Sequence, residues 1–151
     1  PMIEDGKPYI VGAFSCTPVV KYPLDAIQPG AKIKGISMIE LGSGNRPLDM
    51  IMYSGKDSPQ VLTNTFRFHH EKRPYGPSPH LAFKFSTLML AGDEMVNEEA
   101  VHRLKDAVEG SIEIAEPFHG VIQMDRLSDE IAVALREGEG GAVDLVAIGL
   151  R

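Results

Sequence analysis

Apolar and polar residues alternate in short runs along most of this chain, and each run is bounded by Gly, Pro, Asp or Ser. That is the pattern of antiparallel strands joined by turns. Residues 9–14 and 18–22 follow the turn signal Asp5-Gly6-Lys7 and predict neighbouring strands of one antiparallel sheet. Residues 23–30 form a tight connection, and residues 32–41 predict a half-buried strand. Because Ile33, Ile36, Met38 and Ile39 do not share one phase, Gly35 is predicted to mark a bulge or bend. Residues 42–49 are a loop by composition and lead into the apolar run 50–53. A turn at 54–59 and a strand at 60–66 complete a second hairpin. Residues 80–90 predict another strand, with Leu81, Phe83 and Phe85 on one face.

Helical periodicity is confined to residues 97–108. Asn97 is placed to cap the first turn, Glu98 and Glu99 favour the positive end of the helix dipole, and Ala100, Leu104, Ala107 and Val108 form one apolar stripe. His102 lies one step off that stripe and is expected at the surface. The last third predicts a strand at 120–127, then a hairpin of 131–136 and 142–148 through the turn 137–141. The last of these strands is expected to sit in a sheet rather than trail as a tail. A turn, a proline and an apolar strand occur together at Pro8 and again at Pro59, 51 positions apart (59 − 8). Periods of about 40 to 50 residues are those of propeller blades.

With 151 residues, 43% hydrophobic and 24% charged, the chain has the composition of one globular domain with a sizeable core. Twenty-one acids against fifteen bases give a net charge of −6, which argues against nucleic acid as a partner, since phosphate backbones need a basic face. No apolar run approaches the roughly 20 residues that span a bilayer, so no membrane span is expected. Residues 1–5 carry neither a basic nor an apolar leader segment, and any export signal is expected to have been removed or never present. The single cysteine, Cys16, excludes an internal disulfide and is expected to be a buried structural thiol.

The chemistry-bearing residues gather between Phe66 and His80, where three of the five histidines lie. Imidazoles on a loop held by a scaffold are metal-ligand and acid–base candidates. His69 and His70 are adjacent, so on an extended strand they diverge, whereas prolines 74, 77 and 79 stiffen a return that brings His80 towards one of them. Such a site suits a transition metal (Cu, Zn, Fe or Ni), with Glu71 or His119 completing the set. Arg67 and Arg73 could receive a carboxylate, and Arg46 with Asn45 and Asp49 could line a channel mouth, although turn chemistry and an intrablade salt bridge are the favoured account of the latter group. Pro1 raises the possibility of an N-terminal catalytic amine as in tautomerase-like proteins, but those start with a strand at the proline and follow it with a helix, which this chain does not. Ser15, Ser43 and Ser78 lack a G-x-S-x-G setting, and no dinucleotide or phosphate-binding glycine loop is present.

Gly44-Asn45-Arg46-Pro47-Leu48-Asp49-Met50-Ile51-Met52-Tyr53, with its charged turn and following strand, resembles a repeat of poorly characterised bacterial β-propeller-like proteins. Gly120-Val121-Ile122-Gln123-Met124-Asp125-Arg126-Leu127 with the terminal hairpin resembles the closing part of the same proteins. The resemblance implies a mainly β fold of antiparallel, propeller-blade-like sheets with one helix. The chain would be a single β-rich domain or a C-terminal propeller fragment of about two blades, completed by another protein chain or by further sequence. The resemblance also points to the periplasm. Two functions compete: a binding or redox-associated (oxidoreductase) module with a transition metal on His69, His70 and His80, and a non-catalytic structural or interaction subunit. The histidine segment itself is not part of the resemblance.

Overall fold

A computed structural model describes residues 1–15, 18–41, 44–72, 74, 76–94 and 112–151. The helix expected over residues 97–108 lies outside the described residues, as do Cys16, Arg73 and His102. The fold is mainly β and every strand pairing is antiparallel. Strands β1 (Met2–Glu4), β2 (Lys7–Ala13), β3 (Val19–Pro23) and β4 (Ile36–Ile39) form sheet 1 in chain order. Sheet 2 consists of β5 (Asn45–Ser54), β6 (Pro59–Arg67), β7 (His80–Ser86) and β8 (Ile112–Ile114), and sheet 3 of β9 (Val121–Arg126), β10 (Ile131–Glu137) and β11 (Val143–Gly149). Strands that the pattern counted as about two blades thus divide into three sheets. Among the described residues no helix is long and apolar enough to cross a membrane.

Asp5 and Gly6 join β1 to β2 with φ of 47° and 77°, the positive-φ pair that a two-residue hairpin demands. Strand β1 itself escapes the pattern because three residues are too few to show alternation. Pro8 and Pro59 both lie in the second strand of their sheet, opposite Ile3 and Ser54 respectively.

Three predicted boundaries move. The strand expected over 32–41 shortens to Ile36–Ile39, and its pairing with β3 is irregular between Val19 and Val20. Gly35 precedes it because a Cβ there would come within 2.4 Å of Val20. Residues 45–49, expected as loop, belong to β5, whose pairing steps from Pro47 to Met50 while β6 steps from Thr65 to Thr63. The turn-like residues Leu48 and Asp49 are therefore accommodated as a bulge within the strand. Strand β7 stops at Ser86, whose Oγ accepts from the Leu88 N–H (3.1 Å) and starts the 3-10 turn Thr87–Leu90.

Sheet 2 is the middle layer. Its strand β6 is buried at successive positions from Val61 to Thr65, without alternation, because both of its faces are covered. One face, with Val61, Leu81, Phe83 and Phe85, meets Val19, Met38, Ile39 and Leu41 of the sheet 1 segment. The other, with Ile51, Tyr53, Leu62 and Ala82, meets Val121, Met124, Ala132, Ala134 and Ile148 of sheet 3. The expected common face of Leu81, Phe83 and Phe85 is present, and each such side chain contributes about 1.5–3 kcal/mol by its burial.

Lys21 brings a charge into the largely apolar layer between sheets 1 and 2. Its ammonium is fully buried, pairs with the Glu4 carboxylate and lies 4.8 Å from the centre of the Tyr9 ring. The Gly92 N–H donates to the other Glu4 oxygen at 2.6 Å. The Lys21 hydrogen bond, helped by that N–H, holds the Glu4 carboxyl below the usual carboxylate range. Removing the carboxylate strands a buried cation, whereas removing the cation leaves Glu4 with its backbone donor and some water. Glu4→Gln is therefore expected to cost about 3 kcal/mol in chemical denaturation and Lys21→Met distinctly less. The reverse ranking would show that the pair is not what stabilises this layer.

Candidate functional site

The histidine segment divides between a turn and a strand. His69 has φ of 64° and stands exposed after β6, and His70 opens the 3-10 turn His70–Lys72, closed by the Lys72 N–H on the His69 carbonyl (3.0 Å). The Nδ1 of His70 is buried and finds no hydrogen-bond partner among the described residues. His80 begins β7 opposite Phe66, with the two rings 5.2 Å apart. Arg46 of β5 also pairs with Phe66, so Arg46, Phe66 and His80 make one cross-strand row. Two residues singled out from sequence are thereby brought together on the face of sheet 2 turned towards sheet 3. Arg67 is one position on and points to the opposite face, where it is buried, and its N–H donates to the Pro79 carbonyl at 2.8 Å. This bond closes the proline-stiffened loop.

The partner of His80 comes from sheet 3. The Gly120 N–H donates to the His80 carbonyl (2.9 Å), and the Glu137 N–H donates to the Gly120 carbonyl (2.8 Å). This backbone relay sets the Glu137 carboxylate 3.3 Å from Nδ1 of His80. Next to it, His119 lies against Gly76 of the loop. A Cβ at Gly76 would stand 2.9 Å from the imidazole, and φ of 67° suits glycine there in any case. Arg136 donates to the Pro117 carbonyl and fixes the turn Glu116–Phe118 that carries His119. His80, His119, Arg136 and Glu137 thus form a joint between the loop and sheet 3.

Burial pushes the His80 imidazole below its ordinary pKa, and Glu137 opposes that shift. Burial likewise lowers His119, with Glu116 opposing and Arg136 adding to the effect. Among the described residues, no three His, Cys, Asp or Glu side chains are grouped so as to hold a metal ion. What the joint offers chemically is one imidazole facing one carboxylate. Glu137 escapes sequence reasoning because it reads as the opening of a turn, and the signal that could have found it is its place at the end of an alternating strand.

Other openings lie elsewhere among the described residues. A cavity of about 340 Å³ is lined by Pro1, Val11, Met50, Ile51, Met52, Asp125 and Arg126. A larger cleft of about 780 Å³ lies where Tyr53, Lys84 and Glu113 of sheet 2 meet Leu150. There Lys84 is bound to Glu113 at 2.8 Å, which raises the lysine pKa. Burial raises Tyr53, with Lys84 opposing and Glu113 adding to the shift. Comparison of this chain with protein-family models, with curated proteins and with solved structures finds no match.

Since the folded state holds His80 and His119 below the ordinary histidine value of about 6.5, it resists their protonation while the unfolded chain accepts it. Their contribution is complete above that value and is lost as pH falls through it. The melting temperature is expected to fall between about pH 7 and pH 5, before most carboxylates titrate. His80→Gln/His119→Gln should flatten that slope. An unchanged slope in the double variant would show that these imidazoles do not carry the dependence.

Proposed function

We propose that this chain is a propeller-type stack of blades that works as an interaction subunit, its two uncovered sheet faces receiving the further blades that close a ring. The observation that carries this reading is the convergence of the three sheets on one cavity. Its lining takes Pro1 and, from β2, Val11 on the side of sheet 1, Met50, Ile51 and Met52 of β5, and Asp125 and Arg126 of β9. The N-terminal end of sheet 1 and the first strands of sheets 2 and 3 therefore border the same space, and the strands of each sheet follow one another in chain order. In a propeller the innermost strands surround the central channel in this way.

The outer layers supply the second half of the reading. Sheet 1 leaves Ile3, Ile10 and the adjoining Phe14 exposed, and sheet 3 leaves Ile131, Val143 and Leu145 exposed. Exposed apolar side chains gathered on one sheet face suit an interaction site, and further blades would remove them from water. In such an assembly the His80–Glu137 joint fixes one blade to the next.

Negative-stain imaging of the native assembly tests the reading. Closed rings with an axial hole are expected. Compact particles without a hole would overturn it.

A further inference from the structure

We infer that a second copy of this chain covers these faces, sheet 3 of one copy meeting sheet 1 of the other head to tail, so that two copies close a ring of six sheets. The inference rests on the propeller reading and names its partner. Within one chain, sheet 1 turns one face to sheet 2, and sheet 2 turns its far face to sheet 3. The two internal interfaces are thus successive steps of one series. The outer face of sheet 3 and the outer face of sheet 1 are the two surfaces that the next step of that series would join. A heterologous contact of this type closes a ring when its rotation permits, and six sheets fall within the four to eight blades of known propellers.

The two faces also differ in shape in a complementary sense. On sheet 3, Leu135 of β10 and Leu145 of β11 are direct cross-strand partners, and Leu145 is 73% exposed. They form a ridge beside Val133 and Val143. On sheet 1, Ile10 pairs with Tyr22, and a groove of about 670 Å³ is lined by Phe14, Val20, Tyr22 and Gly35 among others. Phe14 and Tyr22 meet edge to face at 6.2 Å and form one wall of it. Gly35 keeps that surface recessed, since any side chain there would collide with Val20 and Tyr22.

Charge favours the head-to-tail arrangement over a pairing of two sheet 3 faces. Residues 115–151, which build sheet 3 and the turn before it, hold seven acids and three bases, whereas residues 1–41, which build sheet 1, hold four of each. Two copies joined through sheet 3 alone would oppose acidic segments, and a contact of sheet 3 with sheet 1 would not.

Light scattering after gel filtration reads the outcome. The wild-type chain is expected at twice its 16.5 kDa mass. Ile10→Asp and Leu145→Asp, each on its own, should weaken association by at least about 30-fold and run at the single-chain mass, with unchanged circular dichroism because both side chains stand on the surface. Leu127→Asp, on the β9–β10 turn, should leave the doubled mass unchanged. Mixing the Ile10→Asp and Leu145→Asp chains decides the geometry. Head to tail, one of the two interfaces pairs two intact faces, so the doubled mass returns. A single-chain wild type, a dimer broken by only one of the two substitutions, or a mixture that stays at single-chain mass would each overturn the inference. If native rings are found to contain a different chain against these faces, the second copy is ruled out and the propeller reading stands. If no rings form, the propeller reading itself fails.

Discussion

The stacking of sheets 2 and 3 depends on Asp49. At the bulge of β5 its backbone leaves the ladder, and the N–H donates instead to Oδ1 of Asn64 at 2.8 Å. Its carbonyl accepts from the Thr63 hydroxyl at 3.0 Å. Its carboxylate crosses to sheet 3 and accepts the Met124 N–H at 2.9 Å, while Nδ2 of Asn64 donates to the Val121 carbonyl at 3.0 Å. A backbone group left unpaired in such surroundings would cost about 1–3 kcal/mol, so the clasp specifies where β9 sits as well as holding it there. Apolar contact alone would hold the two sheets without fixing their relative position.

The two internal interfaces are consequently unlike. Between sheets 2 and 3, the side chains of the Asp49 clasp hold the backbone of β9 at one place, and the hydrogen bond from Gly120 to His80 joins backbone to backbone at another. Between sheets 1 and 2 the contact is made by Val19, Met38 and Ile39 against Phe83 and Phe85, and the Glu4–Lys21 pair is its principal polar feature. The carboxylate of that pair also binds the Gly92 N–H, so it secures the segment after β7 to the first strand. A charge is tolerated there because the carboxylate, the ring of Tyr9 and the backbone donor replace the water that both ions lose.

Alternation made much of the fold legible. Leu81, Phe83 and Phe85 shared the predicted face, the hairpin of β10 and β11 followed its pattern, and the spacing of Pro8 and Pro59 matched the second strands of two sheets. The failures have one cause, which is that local composition does not report a distant partner. Asn45 to Asp49 look like a loop because Asn, Pro and Asp favour turns, yet a bulge takes the same residues and satisfies them from β6 and β9. Both faces of β6 are covered, so its polar Thr63, Asn64 and Thr65 are buried where alternation would have placed some of them in water. The site was legible only in parts. The row of Arg46, Phe66 and His80 follows from strand register, but Glu137 arrives from another sheet through the Gly120 relay, and no spacing in the sequence encodes that meeting.

The same contrast bears on what the outer faces can do. The faces inside the chain are fixed by clasps that use nearly all the polar reach of Asp49, Asn64, Glu4 and Gly120. The outer faces present Ile3, Ile10 and the adjoining Phe14 on sheet 1 and Ile131, Val143 and Leu145 on sheet 3, side chains for which attraction is non-directional and scales with the area removed from water. Binding strength at those faces would therefore come from area, and selectivity from shape and from the acidic excess around sheet 3. A ridge at Leu135 and Leu145 and a recess at Gly35 provide the shape. A partner that matched the area without the relief would lose the dispersion contacts of close packing, and that loss is what makes relief selective.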